Sequence, residues 1–144
     1  MKKVLGIGNA LVDMLIRLDN DDFLAGFGLA KGSMTLIDRD TMLSILEKTS
    51  SRHLDVQKSS GGSVANAIHG LAKLGAPSGY IGKIGNDQYG EFFGSYMTQN
   101  NICTKLFTGK EDTGKSMVMI SRDSERTFGT YLGAAIELEP ADLT

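Results

Sequence analysis

The stretch Gly61-Gly62-Ser63-Val64-Ala65-Asn66 limits what this chain can fold into more than any other. Two glycines stand directly before a run in which Val64, Ala67, Ile68, Leu71 and Leu74 recur at spacings of three and four, the period of a helix with one buried face. Gly75 is placed to close that helix as its C′ residue, and Pro77 prevents its continuation. A helix mouth built from bare backbone can bend at positive φ and bring its N–H groups against a ligand. The first N–H groups of any helix also lack intrahelical acceptors and carry partial positive charge, so the mouth is a surface for oxygens. Asn66 falls off the apolar stripe, one turn in, where its amide can both donate to and accept from a hydroxylated ligand. Ser before an apolar run is equally the commonest helix N-cap, and by itself the stretch reads as well as a loop and a capped helix.

Around this helix the chain alternates short apolar runs with amphipathic ones. Val4 to Gly8 reads as a buried strand whose end opens onto a site. In the next run Val12, Met14, Ile16 and Leu18 alternate with Asp13, Leu15 and Arg17, a period of two that predicts a second strand with one face partly polar. Asp13 is suited to accept bidentately from vicinal hydroxyls, and a solvent-facing acid on an edge strand is the plainer reading. After Gly26, Gly28 and Gly32, Ser33 to Ile37 reads as a strand. Asp40 is expected to cap a helix with Met42, Ile45 and Leu46 on its apolar face. Tyr80 to Ile84 is the next strand, and Asp87 is expected to cap a helix through Tyr89, Phe92, Phe93, Tyr96 and Met97, an aromatic stripe whose helical spacing points to core. This βαβ alternation from Val4 to Phe107 implies an α/β fold, a doubly wound sheet with ligands at the carboxyl ends of parallel strands.

Composition removes several function classes. The net charge is −2 over 144 residues, with no Lys/Arg cluster to recognise nucleic acid or an acidic membrane. No stretch is long enough to span a bilayer. The single cysteine, Cys103, cannot form an internal disulfide and fits a reducing, cytoplasmic compartment. With only His53 and His69 beside it, no zinc-site spacing appears, and no metal site is expected in this chain. Gly109-Lys110-Glu111-Asp112-Thr113-Gly114-Lys115-Ser116 matches the Walker A pattern, but a P-loop needs a helix after the loop. Met117 to Ile120 is instead β-branched and apolar, and predicts a strand that returns through Thr127 to Tyr131.

Three stretches together carry a resemblance. Gly8, Asn9 and Asp13 form a Gly-x-Asn-x-x-x-Asp pattern, Gly61, Gly62 and Asn66 a Gly-Gly-x-x-x-Asn helix start, and Gly85-Asn86-Asp87-Gln88-Tyr89-Gly90 a further motif. In this order they resemble the N-terminal half of the PfkB family of carbohydrate and nucleoside kinases, and the likeness covers nearly the whole chain. The resemblance implies a ribokinase-like α/β fold, a doubly wound βαβ sheet from which a small β lid projects over the substrate, with lid strands within 10–37 and 104–131. It implies ATP-dependent phosphotransfer to a hydroxyl of a sugar or nucleoside. Asn9, Asp13, Gly61, Gly62 and Asn66 would bind that acceptor, with Met34 and Phe128 packing on a base or ring. Arg126 sits where some adenosine kinase-like members carry an Arg near the phosphates, and reads equally as a surface residue at a turn. The long interval between Asp13 and Gly61 also looks closer to adenosine kinase-like members.

In the family a Gly-Ala-Gly-Asp segment supplies the catalytic Asp, and further segments hold the nucleotide and magnesium. None of these occurs here, so no catalytic, ATP-binding or Mg2+-binding residue is expected in this chain. Glu139-Pro140-Ala141-Asp142 has the look of a helix start with no body after it. The expectation is therefore a chain incomplete at its C-terminus, inactive alone and partnered by a C-terminal half, with ATP and Mg2+ serving the full-length kinase. Dimerisation through the lid edges is a further expectation. The alternative is a non-catalytic polyol-binding, nucleoside-binding or assembly module.

Overall fold

The computed structural model describes residues 2–144, and the chain divides into two compact units. The first unit comprises Met1–Val12, Ser59–Gly114 and Leu132–Thr144. Its sheet has three parallel strands, β1 (Val4–Ile7), β5 (Ser78–Ile84) and β6 (Ile102–Thr108), in the order β1-β5-β6. Between them in sequence run α3 (Ser63–Lys73) and α4 (Gln88–Gln99). Gly6 pairs with Tyr80 in register, so both face the same side of the sheet. On that side a Cβ at Gly6 would stand 2.6 Å from Ile68 of α3, and the Tyr80 ring lies 5.5 Å from that of Phe93 in α4. Both helices therefore pack on one face, and Tyr80, Phe93, Met97, Ala65 and Ile68 form its core. On the opposite face Leu5 and Ile7 remain about half exposed.

The second unit, Asp13–Lys58 and Lys115–Tyr131, is built on a sheet of five strands in the order β3-β8-β7-β2-β4. These are β2 (Leu11–Arg17), β3 (Met34–Leu36), β4 (Val56–Gly61), β7 (Gly114–Ile120) and β8 (Arg126–Tyr131), joined with the short α1 (Asp22–Ala25) and α2 (Arg39–Ser51). β7 and β8 form an antiparallel hairpin and β3 runs parallel to β8. A Cβ on Gly129 would stand 3.7 Å from Ile45, which puts α2 on the face shared by Thr127, Gly129 and Tyr131. In β2 the alternation appears as buried Val12, Met14 and Ile16 against half-buried Asp13 and Leu15, and continues to buried Leu18 just past the strand.

Several local expectations change. Asp38, not Asp40, caps α2, accepting from the Thr41 amide at 2.8 Å, and Asp40 lies in the first turn. The polar run 56–61 is the strand β4, and the glycine-rich connection contains α1. Leu74 and Ala67 of the expected apolar stripe are exposed, Leu74 by 85%, because the buried side of α3 turns toward Ala65 and Ile68. The chain after β8 forms two 3-10 turns, Gly133–Glu137 and Pro140–Leu143, the second with a reciprocal Glu139–Asp142 capping box. The Walker-like segment is a turn into β7, with no helix following. Its Lys110 and Glu111 amides donate to the Glu137 carboxylate at 2.9 and 2.7 Å. No helix among the described residues is long and apolar enough to cross a membrane.

Candidate functional site

In the first unit, the candidate residues gather where β1 ends and α3 begins. Cβ atoms at Gly6 and Gly8 would fall 2.8 and 2.9 Å from Val64, so the first turn of α3 lies directly on the strand. Real Cβ contacts are not that short, and only glycine permits the approach. Gly62 takes φ +96, and a Cβ there would stand 2.5 Å from the Asn9 carbonyl oxygen. Gly8-Asn9 and Gly61-Gly62, more than fifty residues apart in sequence, are thereby brought into backbone contact. Asn66 donates its amide to Gly62 at 2.9 Å as the first bond of the helix, and Asn9 and Asn66 are both exposed.

The helix ends differ in a way that sets α3 apart. Asp38 and Asp87 close the N-termini of α2 and α4 by accepting from Thr41 and Gly90. No side chain caps α3; its N-cap is Gly62. The Ser63, Val64 and Ala65 amides, which have no acceptor within the helix, are therefore left for another oxygen. Ser63 is the first residue of the helix and does not act as its cap.

The second unit holds the rest. Asp13 is half-buried on β2, and desolvation pushes its carboxyl up from 3.8 to about 6. Met34 and Phe128 are register partners across β3 and β8, and Val118 pairs with Phe128 from β7, so the three form a row on the face turned away from Ile45. Met34 is 74% exposed and Leu36, two residues on along the same face, 68%. Arg126 is exposed on that face at the start of β8. A groove of about 280 Å³ elsewhere in this unit is lined by Asp19, Asp21, Lys31 and Asp123 among others. Lys31 there pairs with Asp21 at 2.9 Å and with Asp123 at 2.7 Å, and none of the lining residues is a candidate residue.

Comparison with known proteins bears on this arrangement. Residues 24–144 match the family described as "pfkB family carbohydrate kinase". The chain belongs to the pfkB family. A 5-dehydro-2-deoxygluconokinase of Bacillus subtilis is 44% identical over 89 residues, 58% of this chain and 27% of that protein. Fructokinase-2 of Zea mays is 32% identical over 83 residues, 56% of this chain and 25% of that protein. Among solved structures, the adenosine kinase of Sinorhizobium meliloti superposes with a TM-score of 0.80 at 36% identity, covering 99% of this chain and 42% of that one. The Anopheles gambiae adenosine kinase, at 21% identity and a TM-score of 0.87, shows the fold alone. The pfkB chain is thus a mixed α/β structure of the ribokinase-like type, spanning about two fifths of the solved structures it matches.

The contact of Asp87 with Thr113 is a feature that sequence reasoning missed. Asp87 was expected only as a cap, yet its carboxylate also accepts from the Thr113 amide and hydroxyl at 2.8 and 2.6 Å. The only signal for it in the sequence is that Asp87 falls within the Gly85 to Gly90 motif.

Proposed function

We propose that this chain supplies the acceptor-binding half and lid of a kinase that transfers the γ-phosphoryl group of ATP to a hydroxyl of a sugar or nucleoside. The observation that carries the reading is the glycine-only contact of Gly62 with the Asn9 carbonyl beside an uncapped helix start. A turn that no side chain fills or caps leaves backbone donors and two exposed amides, those of Asn9 and Asn66, for hydroxyl oxygens. Asp13 would accept from vicinal hydroxyls as a carboxylate, and such transfer depends mostly on positioning and charge neutralisation.

Met34 and its register partner Phe128 favour a nucleoside over a free sugar, since a base offers a flat face for them. Arg126, at the polar end of the same face, would meet phosphate oxygens. ATP and Mg2+ would be held by segments of the full-length kinase outside these 144 residues. The proton-accepting Asp would come from outside these 144 residues, and the chain alone would bind acceptor without phosphorylating it. The edge strands β3 and β4 offer unpaired backbone for a second copy, which sedimentation would register as a dimer.

A thermal-shift panel of nucleosides, pentoses and hexoses tests the substrate class, because a ligand raises the melting temperature of the state it binds. Stabilisation by nucleosides is the expected result. Stabilisation by free sugars alone would count against the nucleoside preference, and by none of them against acceptor binding itself.

A further inference from the structure

β3 buries none of its own side chains, yet it carries one of the two residues read as facing a base. It has three residues, Met34–Leu36, all of them exposed. It stands at the edge of its sheet and pairs in parallel with β8. A strand that short and that exposed has no core contact to fix it, so its place depends on what holds its two ends.

The far end is held by backbone and packing. The Ile37 amide donates to the Thr130 carbonyl at 2.9 Å, and a Cβ on Gly129 would stand 3.2 Å from Ile37. At the near end the chain turns at Gly32, with φ +79, and two hydrogen bonds tie the turn to β8. The Ser33 carbonyl accepts from the Phe128 amide at 2.8 Å. One residue earlier, the Gly32 amide donates to the Thr127 hydroxyl at 2.9 Å, and Thr127 has no exposed surface. Lys31 adds ion pairs to Asp21 and Asp123, but these are exposed, and exposed pairs contribute little. The buried hydroxyl is the stronger tie, because its loss leaves the Gly32 amide without that acceptor.

This tie reaches the base-facing pair by short steps. Thr127 and Phe128 follow one another in β8 and therefore point to opposite faces, Thr127 to the side of α2. Met34 lies two residues after Gly32 and is the register partner of Phe128. Every step from Thr127 to Met34 is a hydrogen bond or a peptide bond inside the second unit.

We propose that Thr127 is a positioning residue for acceptor specificity: by holding Gly32 it sets Met34 beside Phe128, and so fixes the surface on which a nucleoside base packs. This rests on the reading of Met34 and Phe128 as the base-facing pair. Thr127, on the opposite face, does not touch the acceptor. Displacing a binding group by about an ångström is enough to weaken what it holds by an order of magnitude or more. A free sugar has no base, so its binding does not draw on Met34.

The test compares Thr127→Val, which keeps the shape and loses the hydroxyl, with Thr127→Ser, which restores the hydroxyl. Thr49→Val is the control for lost stability. Thr49 is buried in the last turn of α2 and donates to the Ile45 carbonyl at 2.7 Å, so the same group is removed where it bonds within its own helix. Calorimetry with adenosine and D-fructose as probes is expected to show Thr127→Val raising the Kd for adenosine about fivefold or more, and that for D-fructose less than about twofold. Thr127→Ser and Thr49→Val should stay within about twofold of the parent for both. Equal weakening of both probes by Thr127→Val, equal weakening of adenosine by Thr49→Val, or an unchanged adenosine Kd in Thr127→Val overturns the proposal. The methyl resonance of Met34 gives a reading that needs no ligand. It should move in Thr127→Val and return in Thr127→Ser, and an unmoved Met34 resonance overturns the proposal whichever probe binds. A moved resonance with no adenosine bound by the parent would instead count against the base-facing reading. If Thr127→Val does not fold, Thr127→Ala takes its place with the same two readings.

Discussion

Asp13 is held at a cost that points to its use. Its pKa rises from 3.8 to about 6 because burial disfavours the charged form. The folded state therefore binds more protons than the unfolded state between these values, and stability falls as pH rises through that window. Replacing Asp13 by Asn removes the penalty. Asp13→Asn should raise the melting temperature above about pH 7, by the equivalent of roughly 1–2 kcal/mol after allowing for partial exposure, and leave it unchanged near pH 3. Acceptor binding should move the opposite way: weaker by about tenfold in Asp13→Asn, and weaker in the parent below about pH 6 as the carboxylate protonates. Melting curves and calorimetry across pH check both signs; a variant that loses stability at neutral pH would show that Asp13 is structural. At Gly62, an Ala side chain would meet the Asn9 carbonyl at 2.5 Å on a backbone with φ +96. Gly62→Ala is expected to cost about 2–4 kcal/mol in chemical denaturation and to abolish acceptor binding.

Among the elements, α3 is the one whose placement was most legible in the sequence, because its signals are local. Gly61-Gly62 opens it, Gly75 at φ +84 follows it, and Val64 and Ile68 rest on β1 as their period implies. What escaped the sequence depended on distant partners. β4 carries Gln57, Lys58, Ser59 and Ser60, and such a polar edge strand shows no apolar alternation to detect. Leu74 continues the helical period but falls at the C-cap, beyond the point where α3 leaves the sheet. Asp38 and Asp40 are equally good caps by residue type, and only the hydrogen bond to Thr41 separates them. The second use of Asp87 could not be read from the sequence because Thr113 lies twenty-six residues away.

The turn before β7 is a further element held by a distant side chain. Glu137 is kept ionised below the usual carboxylate range chiefly by the amides of Lys110 and Glu111. A depressed carboxylate stabilises the fold above its unfolded pKa and loses that contribution as pH falls through the folded value. Glu137→Gln should therefore flatten the acid limb of stability against pH below about 4.5, and an unchanged limb would mean the contact contributes nothing.

For the molecule as a whole, two expectations follow from what is exposed and what is assembled. On the face of β1-β5-β6 away from α3 and α4, Leu5 is 56% and Ile7 49% exposed, with Ile81 beside Ile7 in register. An uncovered apolar sheet face of this kind drives association. Leu5→Lys with Ile7→Thr should lower light scattering at high concentration without lowering the melting temperature; a large loss of stability would mean that the face is already packed. In the proposed function the glycine turn and Asp13 hold the hydroxyls of one small acceptor. Chemical-shift mapping with adenosine tests it most directly. Shifts are predicted at Asn9, Asp13, Gly61, Gly62 and Asn66, and at Met34 and Phe128 for the base. Saturable binding that leaves Asp13 and the Gly61 to Asn66 turn unmoved would contradict it.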